Sequence, residues 1–181
     1  MKNINTNKTI LWITQSAVLI ALLVSWQAVS RAIPGTLVTG TGVNFILIIA
    51  TMTCSLKTGL TVASVSPIMA MLFAVMPPFW ILVPFIAAGN IVLVLIWHFI
   101  GKRKPLALGR VVALVTAAAA KFAVLYVGVN VLVAGVFGVG LPAPVLTAFS
   151  VSQLFTALGG GAAASAVLAL PVFGRGGKGV V

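Results

Sequence analysis

Acidic side chains are missing from this sequence, whose 181 residues include eleven Lys and Arg and one His but no Asp or Glu. The absence excludes sites that depend on carboxylates, such as acidic magnesium and calcium sites, acid–base catalysis by paired carboxylates, and carboxylate proton relays. It also isolates Lys121, which lies inside an apolar stretch, because no acidic side chain of the same chain can pair with it.

Charge and cysteine are scarce as well. Charged residues make up 6% of the chain and hydrophobic residues 61%, whereas about a quarter of a soluble domain is charged. The composition predicts an integral membrane protein, and at roughly 20 apolar residues per helix a single domain over residues 1–181 has room for six or seven spans. The lone Cys54 excludes an intrachain disulfide and a Cys-rich metal site. We therefore expect no metal and no cofactor.

Apolar runs separated by glycine, proline and basic residues predict an all-α bundle of six transmembrane helices. Their approximate ranges are 9–30, 42–56, 58–76, 79–100, 109–134 and 146–172. We expect Ile33-Pro34-Gly35 to end the first helix, Pro67 to kink the third, and Pro77-Pro78 to stop it. The glycine-rich tail after Pro171 is expected to fray.

Basic residues fall on one side of this layout if successive helices alternate in direction. They are Lys2, Lys8, Lys57, Lys102, Arg103, Lys104, Arg110, Arg175 and Lys178, and the opposite loops contain only Arg31. This positive-inside pattern predicts that both termini are cytoplasmic. The net charge of +11 does not predict a nucleic-acid partner, because the charges lie between hydrophobic blocks.

Small residues four positions apart indicate where helices approach each other closely. In the last helix, either Gly159 with Ala163 or Gly160 with Ala164 makes such a groove. The first helix carries the same spacing at Ala17 and Ala21. The simplest interpretation of each pair is packing within the bundle.

Lys121 is the most unusual polar residue of the spans. It is about 16 Å from the basic end of its helix, near the centre of a bilayer. An ammonium there costs about 2.5–3.5 kcal/mol on insertion scales. Such a lysine must be neutral, reach water through a cavity or meet an anion. Either a ligand brings the missing anion into a cavity, or the lysine caps main-chain carbonyls or a buried water.

Other polar side chains accompany Lys121 on neighbouring helices and are candidates for ligand binding. Asn90 lies near mid-depth in the fourth helix, Gln153 in the outer third of the sixth, and Asn44 at the start of the second. Tyr126 lies outward of Lys121. Amides and a phenol can fix a polar ligand, but amides also join helices as structural hydrogen bonds.

The chain resembles the substrate-binding S component of energy-coupling factor (ECF) vitamin transporters over nearly its whole length. The resemblance rests on Ala17-x-x-x-Ala21, on Pro77-Pro78 with Val83-Pro84-Phe85-Ile86-Ala87-Ala88-Gly89-Asn90, on Ala120-Lys121-Phe122 with Leu125-Tyr126, and on Ser152-Gln153-Leu154 with Thr156-Ala157-Leu158-Gly159-Gly160. It matches the pocket pattern of no single vitamin-specific member, so the substrate stays open.

The resemblance implies a multi-pass subunit of the bacterial cytoplasmic membrane that captures a vitamin or a related small, anionic micronutrient. Ala17 and Ala21 would contact a membrane coupling subunit, which two ATPase subunits drive. The pocket would open outward and be built by helices four to six and the loop from Arg31 to Thr41. Lys121 and Arg31 favour an anionic substrate.

Other functions remain open on the residues alone. A stand-alone secondary transporter or channel is the main alternative, although only Lys121 and His98 are there to titrate within its spans. A structural subunit would not require a buried lysine. An enzyme is not expected, because Ser150 and Ser152 have no acid–His partner and no phosphate-binding glycine loop is present. Any ATP hydrolysis would belong to a separate polypeptide.

Overall fold

A computed structural model describes residues 2–33, 36–76 and 78–170, with the side chains of residues 6–33, 37–76 and 78–170. The predicted turn at Pro34-Gly35 and the frayed tail after Pro171 therefore lie outside the described residues, as do Pro77, Arg175, Lys178 and the side chain of Lys2.

Seven helices and no strand occur in the described part of the chain. They are α1 (Lys2–Ser30), α2 (Thr36–Ile49, continued by a π-helical turn at Ala50–Cys54), α3 (Leu56–Leu72), α4 (Val83–Phe99, preceded by a 3-10 turn at Trp80–Leu82), α5 (Leu106–Leu125, continued by a π-helical segment at Tyr126–Val136), α6 (Ala143–Ala148) and α7 (Val151–Leu168).

Five helical segments of the described ranges are long and apolar enough to cross a membrane, namely Thr6–Ser30, Leu37–Cys54, Trp80–Phe99, Leu106–Val136 and Ala143–Leu168. The sixth, α3, has 17 residues and a length of about 25 Å, a little less than a bilayer core. The predicted all-α membrane bundle is confirmed, with α6 and α7 together forming the sixth predicted helix.

Several helix boundaries differ from the sequence prediction. α3 ends at Leu72, four residues before the predicted end, so the prediction that Pro77-Pro78 stops this helix is wrong. α1 begins at Lys2, and α2 begins at Thr36 inside the predicted Arg31–Thr41 loop. Within α2, Gly40 and Gly42 lie directly under the side chains of Thr156 and Trp26, where a Cβ would clash. The two glycines therefore allow α7 and α1 to pack closely against α2. The last predicted helix is interrupted by a turn at residues 149–150.

A close backbone approach joins α2 to α7 and distinguishes the two possible small-residue grooves. Gly160 and Ala164 are buried, whereas Gly159 and Ala163 are exposed. A Cβ at Gly160 would lie 2.6 Å from the carbonyl oxygen of Thr41. Gly160 therefore permits the contact of α7 with α2, as small residues do between membrane helices.

Basic residues of different helices meet at one end of the bundle. The Lys57 ammonium at the start of α3 lies 3.6 Å from the centre of the Trp12 ring in the first half of α1. The segment Lys102–Lys104 follows α4 at the end that lies beside the start of α5. Arg31 follows α1 at the opposite end, so the described residues fit the alternating layout, whereas the cytoplasmic location of the basic end stays a prediction.

The first helix presents an exposed face of small residues. Ala17 and Ala21 are both exposed, and Thr14, Ser25 and Ala28 continue the same face at spacings of three or four residues. Of the spanning segments, α1 is also the least buried, with 11% of its apolar window inside the bundle. This face is free for contact with lipid or with a partner.

Candidate functional site

The Lys121 side chain lies in the interior of the bundle, on α5, and is only 3% exposed. Its ammonium nitrogen donates to the side-chain oxygens of Asn44 on α2, at 2.6 Å, and of Asn90 on α4, at 2.7 Å. Both asparagines are themselves buried. Three helices are thus joined at mid-depth by one lysine, and its partners are side-chain oxygens and not the main-chain carbonyls considered above.

Further hydrogen bonds orient each asparagine with its oxygen towards the lysine. The Asn44 amide nitrogen donates to the hydroxyl of Thr156 on α7 at 3.3 Å. That hydroxyl in turn donates to the carbonyl oxygen of Gln153 at 3.1 Å. An amide that binds through its NH₂ group presents its carbonyl oxygen on the other side, so Thr156 fixes Asn44 as an acceptor for Lys121.

Pro67 supplies the corresponding support for Asn90. A proline within a helix has no N–H and leaves the carbonyl four residues earlier without its helical partner. Here that carbonyl belongs to Ala63, and the Asn90 amide nitrogen donates to it at 3.5 Å. α3 runs unbroken past Pro67. The proline therefore provides a main-chain acceptor that turns the Asn90 oxygen towards Lys121.

No described residue neutralises the charge of the lysine. An ammonium carries three N–H groups, and the two asparagine oxygens accept two of them. Both acceptors are uncharged amides, and the sequence contains no Asp or Glu that could approach. Since an unpaired charge inside a membrane is costly, the site favours a ligand that brings an anion or a strong acceptor.

A hollow of about 120 Å³ adjoins the lysine. Its polar lining includes Lys121, Asn90, Gln153, Gln27, Thr39 and Ser66, and its apolar lining includes Pro67, Val75, Met76, Ile86 and Phe149. Most of the lining residues lie in the second half of α1 and α3 and in the first half of α2 and α4. The others are Lys121 on α5, Val75 and Met76 after α3, Phe149 after α6 and Gln153 at the start of α7. The hollow therefore extends from mid-depth towards the end of the bundle opposite to the basic residues.

Gln27 is a buried amide of the hollow that was not among the predicted site residues. It is only 2% exposed, and its amide nitrogen donates to the Ser66 carbonyl oxygen at 3.5 Å. Its side-chain oxygen is buried and has no hydrogen-bond partner in the described part of the chain. The available signal was an amide within the apolar run from Ile10 to Val29, the same signal that identified Gln153.

The predicted site residues fall into two groups. Lys121, Asn90 and Gln153 line the hollow, and Asn44 reaches it through its bond to the lysine. Tyr126 is 43% exposed and packs against Phe122, with ring centres 5.7 Å apart. Arg31 is exposed beyond the end of α1. The structure does not bring Tyr126 or Arg31 to the hollow.

Helix geometry explains the position of Tyr126. Five residues separate it from Lys121, which corresponds to a rotation of about 140° around an α-helix. The two side chains therefore leave α5 on different faces, and the one that meets Asn44 and Asn90 belongs to Lys121.

A larger groove lies elsewhere and lacks such chemistry. Its volume is about 530 Å³, and it runs between α1, α2 and α7 beside Trp26, Gly42, Phe45 and Ala163. It uses a different face of α2 from the hollow and offers no group that could pair with Lys121. Volume alone would select the groove, but the buried cation and the unpaired acceptor select the hollow as the candidate site.

Comparisons with known proteins add no relative. No family model matches the chain, and no curated protein and no solved structure matches it. The functional argument therefore depends on the sequence features and on the geometry of the hollow.

Proposed function

We propose that this chain is the membrane-embedded substrate-capture subunit of an ECF-type importer for a vitamin or a related small, anionic micronutrient. The observation that carries the proposal is the Lys121 ammonium, which donates to two neutral amide oxygens and lines a small hollow. A purely structural subunit has no need for a buried cation without an anion. A binding protein gains from one, because the anion of the ligand completes the site.

The position of the hollow supports capture from outside the cell. Its lining residues lie between mid-depth and the end of the bundle that bears few basic residues. Under the positive-inside rule this end faces away from the cytoplasm. A solute from outside would meet Val75, Met76 and Phe149 before it reached Lys121.

The lack of carboxylates for ion coupling favours partner proteins as the source of energy for transport. Ion-coupled carriers commonly use carboxylates within the membrane, and this sequence has none. The exposed small-residue face of α1, with Ala17 and Ala21 at its centre, suits close contact with another membrane helix. We therefore assign that face to the coupling subunit, which two ATPases would drive in the bacterial cytoplasmic membrane.

Reconstitution tests this proposal. The chain should co-purify with an energy-coupling module and take up radiolabelled, carboxylate-bearing vitamins into proteoliposomes only when ATP is present. Leucine at Ala17 and Ala21 together should reduce co-purification at least tenfold, because the added side chains hold the helices apart. Ala119→Leu, at an exposed position of α5, is the matched control, and this variant should assemble normally.

Two results would count against the proposal. Uptake by the chain alone, without ATP and without partner subunits, would favour a stand-alone secondary transporter. Normal assembly of the double leucine variant would remove the assigned role of the α1 face.

A further inference from the structure

We infer that the hollow recognises a carboxylate that has a hydrogen-bond donor beside it, with Lys121 binding the carboxylate and Gln27 accepting from the donor. The inference deepens the proposed function and rests on it only for the claim that this ligand is transported cargo. It names the chemistry of the ligand and adds Gln27 as a residue that determines specificity.

The carboxylate follows from the hydrogen-bond inventory of Lys121. Two of its three N–H groups go to Asn44 and Asn90, so one remains for a ligand. The side chain is 3% exposed and borders the hollow. A carboxylate satisfies the remaining N–H group and neutralises a charge that the chain itself cannot neutralise.

The hydrogen-bond donor of the ligand follows from Gln27, whose side-chain oxygen lacks a donor. Its side-chain oxygen is a buried acceptor without a donor among the described residues, and the residue lines the same hollow. Its NH₂ group is already held by the Ser66 carbonyl oxygen, which fixes the amide. A buried acceptor without a donor is costly, so a hydroxyl or N–H group of the ligand would be selected at this position.

The volume limits how large this part of the ligand can be. A cavity of about 150 Å³ accommodates benzene, which has six non-hydrogen atoms. The hollow of about 120 Å³ therefore suits a group of about five such atoms. A 2-hydroxycarboxylate or an acylated 2-aminocarboxylate head group has this size and carries both functions.

Glycolate and acetate form a matched pair of probes, because they differ by the single hydroxyl donor. Binding of the two radiolabelled anions would be measured by equilibrium dialysis on the purified chain in lipid nanodiscs, without partner proteins. We expect glycolate to bind at least tenfold more tightly than acetate, because only glycolate can satisfy the Gln27 oxygen. Glycolamide, which keeps the donor but lacks the charge, should compete at least tenfold less well than glycolate.

Substitutions assign the preference to the two side chains. Gln27→Met should abolish the preference for glycolate over acetate, whereas the matched Gln15→Met, about 18 Å away along α1, should keep it. Lys121→Met should weaken both anions at least tenfold, and Lys102→Met at the exposed end of α4 should not. Size-exclusion profiles and helical circular dichroism would show that each variant is folded.

Equal affinity for glycolate and acetate in the unmodified chain, or no saturable binding of either, would overturn the inference without depending on any variant. A preference that survives Gln27→Met would also overturn it. Failure of ATP-driven uptake despite selective glycolate binding would instead reject the importer function and leave the ligand chemistry standing.

Discussion

Replacement of Gly160 by alanine tests the structural basis of the site, because this glycine sets the distance between α7 and α2. A Cβ built at this position lies 2.6 Å from the Thr41 carbonyl oxygen, 2.7 Å from the Asn44 Cβ and 2.9 Å from the Phe45 amide nitrogen. Two of these three atoms belong to the main chain and the third is a Cβ. No side-chain rotation can relieve the contacts, so the helices must move apart.

The magnitude follows from these distances. An ordinary contact begins near 3.4 Å, so relief of the Thr41 contact requires α2 and α7 to separate by about 0.8 Å. Overpacking of this kind costs about 1–3 kcal/mol, against which alanine recovers up to about 1 kcal/mol of helix propensity. With the full propensity gain, we expect a net loss of up to about 2 kcal/mol in the free energy of unfolding.

Gly159→Ala is the matched control one residue away. Its Cβ would meet only the Thr41 side chain, at 3.3 Å and beyond, and Gly159 is exposed. Alanine there meets no main-chain atom and should raise stability by up to about 1 kcal/mol through helix propensity, so the two variants should differ by about 1–3 kcal/mol. Reversible unfolding in mixed micelles, followed by circular dichroism, gives both values. If Gly160→Ala is as stable as Gly159→Ala, the close approach of α2 and α7 is wrong.

Two further predictions concern single residues. Thr156→Val should lower stability by about 1–3 kcal/mol, because the buried Asn44 amide nitrogen loses its acceptor; unfolding of the isosteric control Thr116→Val, whose exposed hydroxyl bonds its own helix, should be unchanged. An equal loss in both variants would contradict the support that Thr156 gives to Asn44. Ala74 has a φ of 51°, a conformation that costs a non-glycine residue about 1–2 kcal/mol. Ala74→Gly should therefore raise the free energy of unfolding by about 1 kcal/mol, and a lower value would refute the left-handed conformation at this residue.

The sequence predicted the fold well because hydrophobic segments of membrane length are recognised locally. Each span needs about 20 apolar residues whatever its neighbours are, so the approximate layout of the helices follows from the positions of the apolar runs. The boundaries were less accurate where packing decides. The second helix was predicted to begin at residue 42, yet α2 begins at Thr36 and includes Gly40, whose missing Cβ atom makes room for Thr156.

The candidate site was predictable only in part. Lys121 and Asn90 are conspicuous in any apolar helix, and both line the hollow. Tyr126 seemed equally suitable by depth, but depth does not give the face of the helix, and its side chain is largely exposed. Gln27 was not predicted, because its importance depends on a missing hydrogen-bond partner that only the packed structure reveals.

What the sequence determined by itself is a membrane protein with one cation in the middle of an apolar helix and no acid to neutralise it. What tertiary structure decided is which groups surround that cation. Asn44 and Lys121 are 77 residues apart and share a hydrogen bond because α2 and α5 are neighbours in space. Hydrophobicity acts on each segment separately, whereas hydrogen bonds between segments form only after the helices have packed.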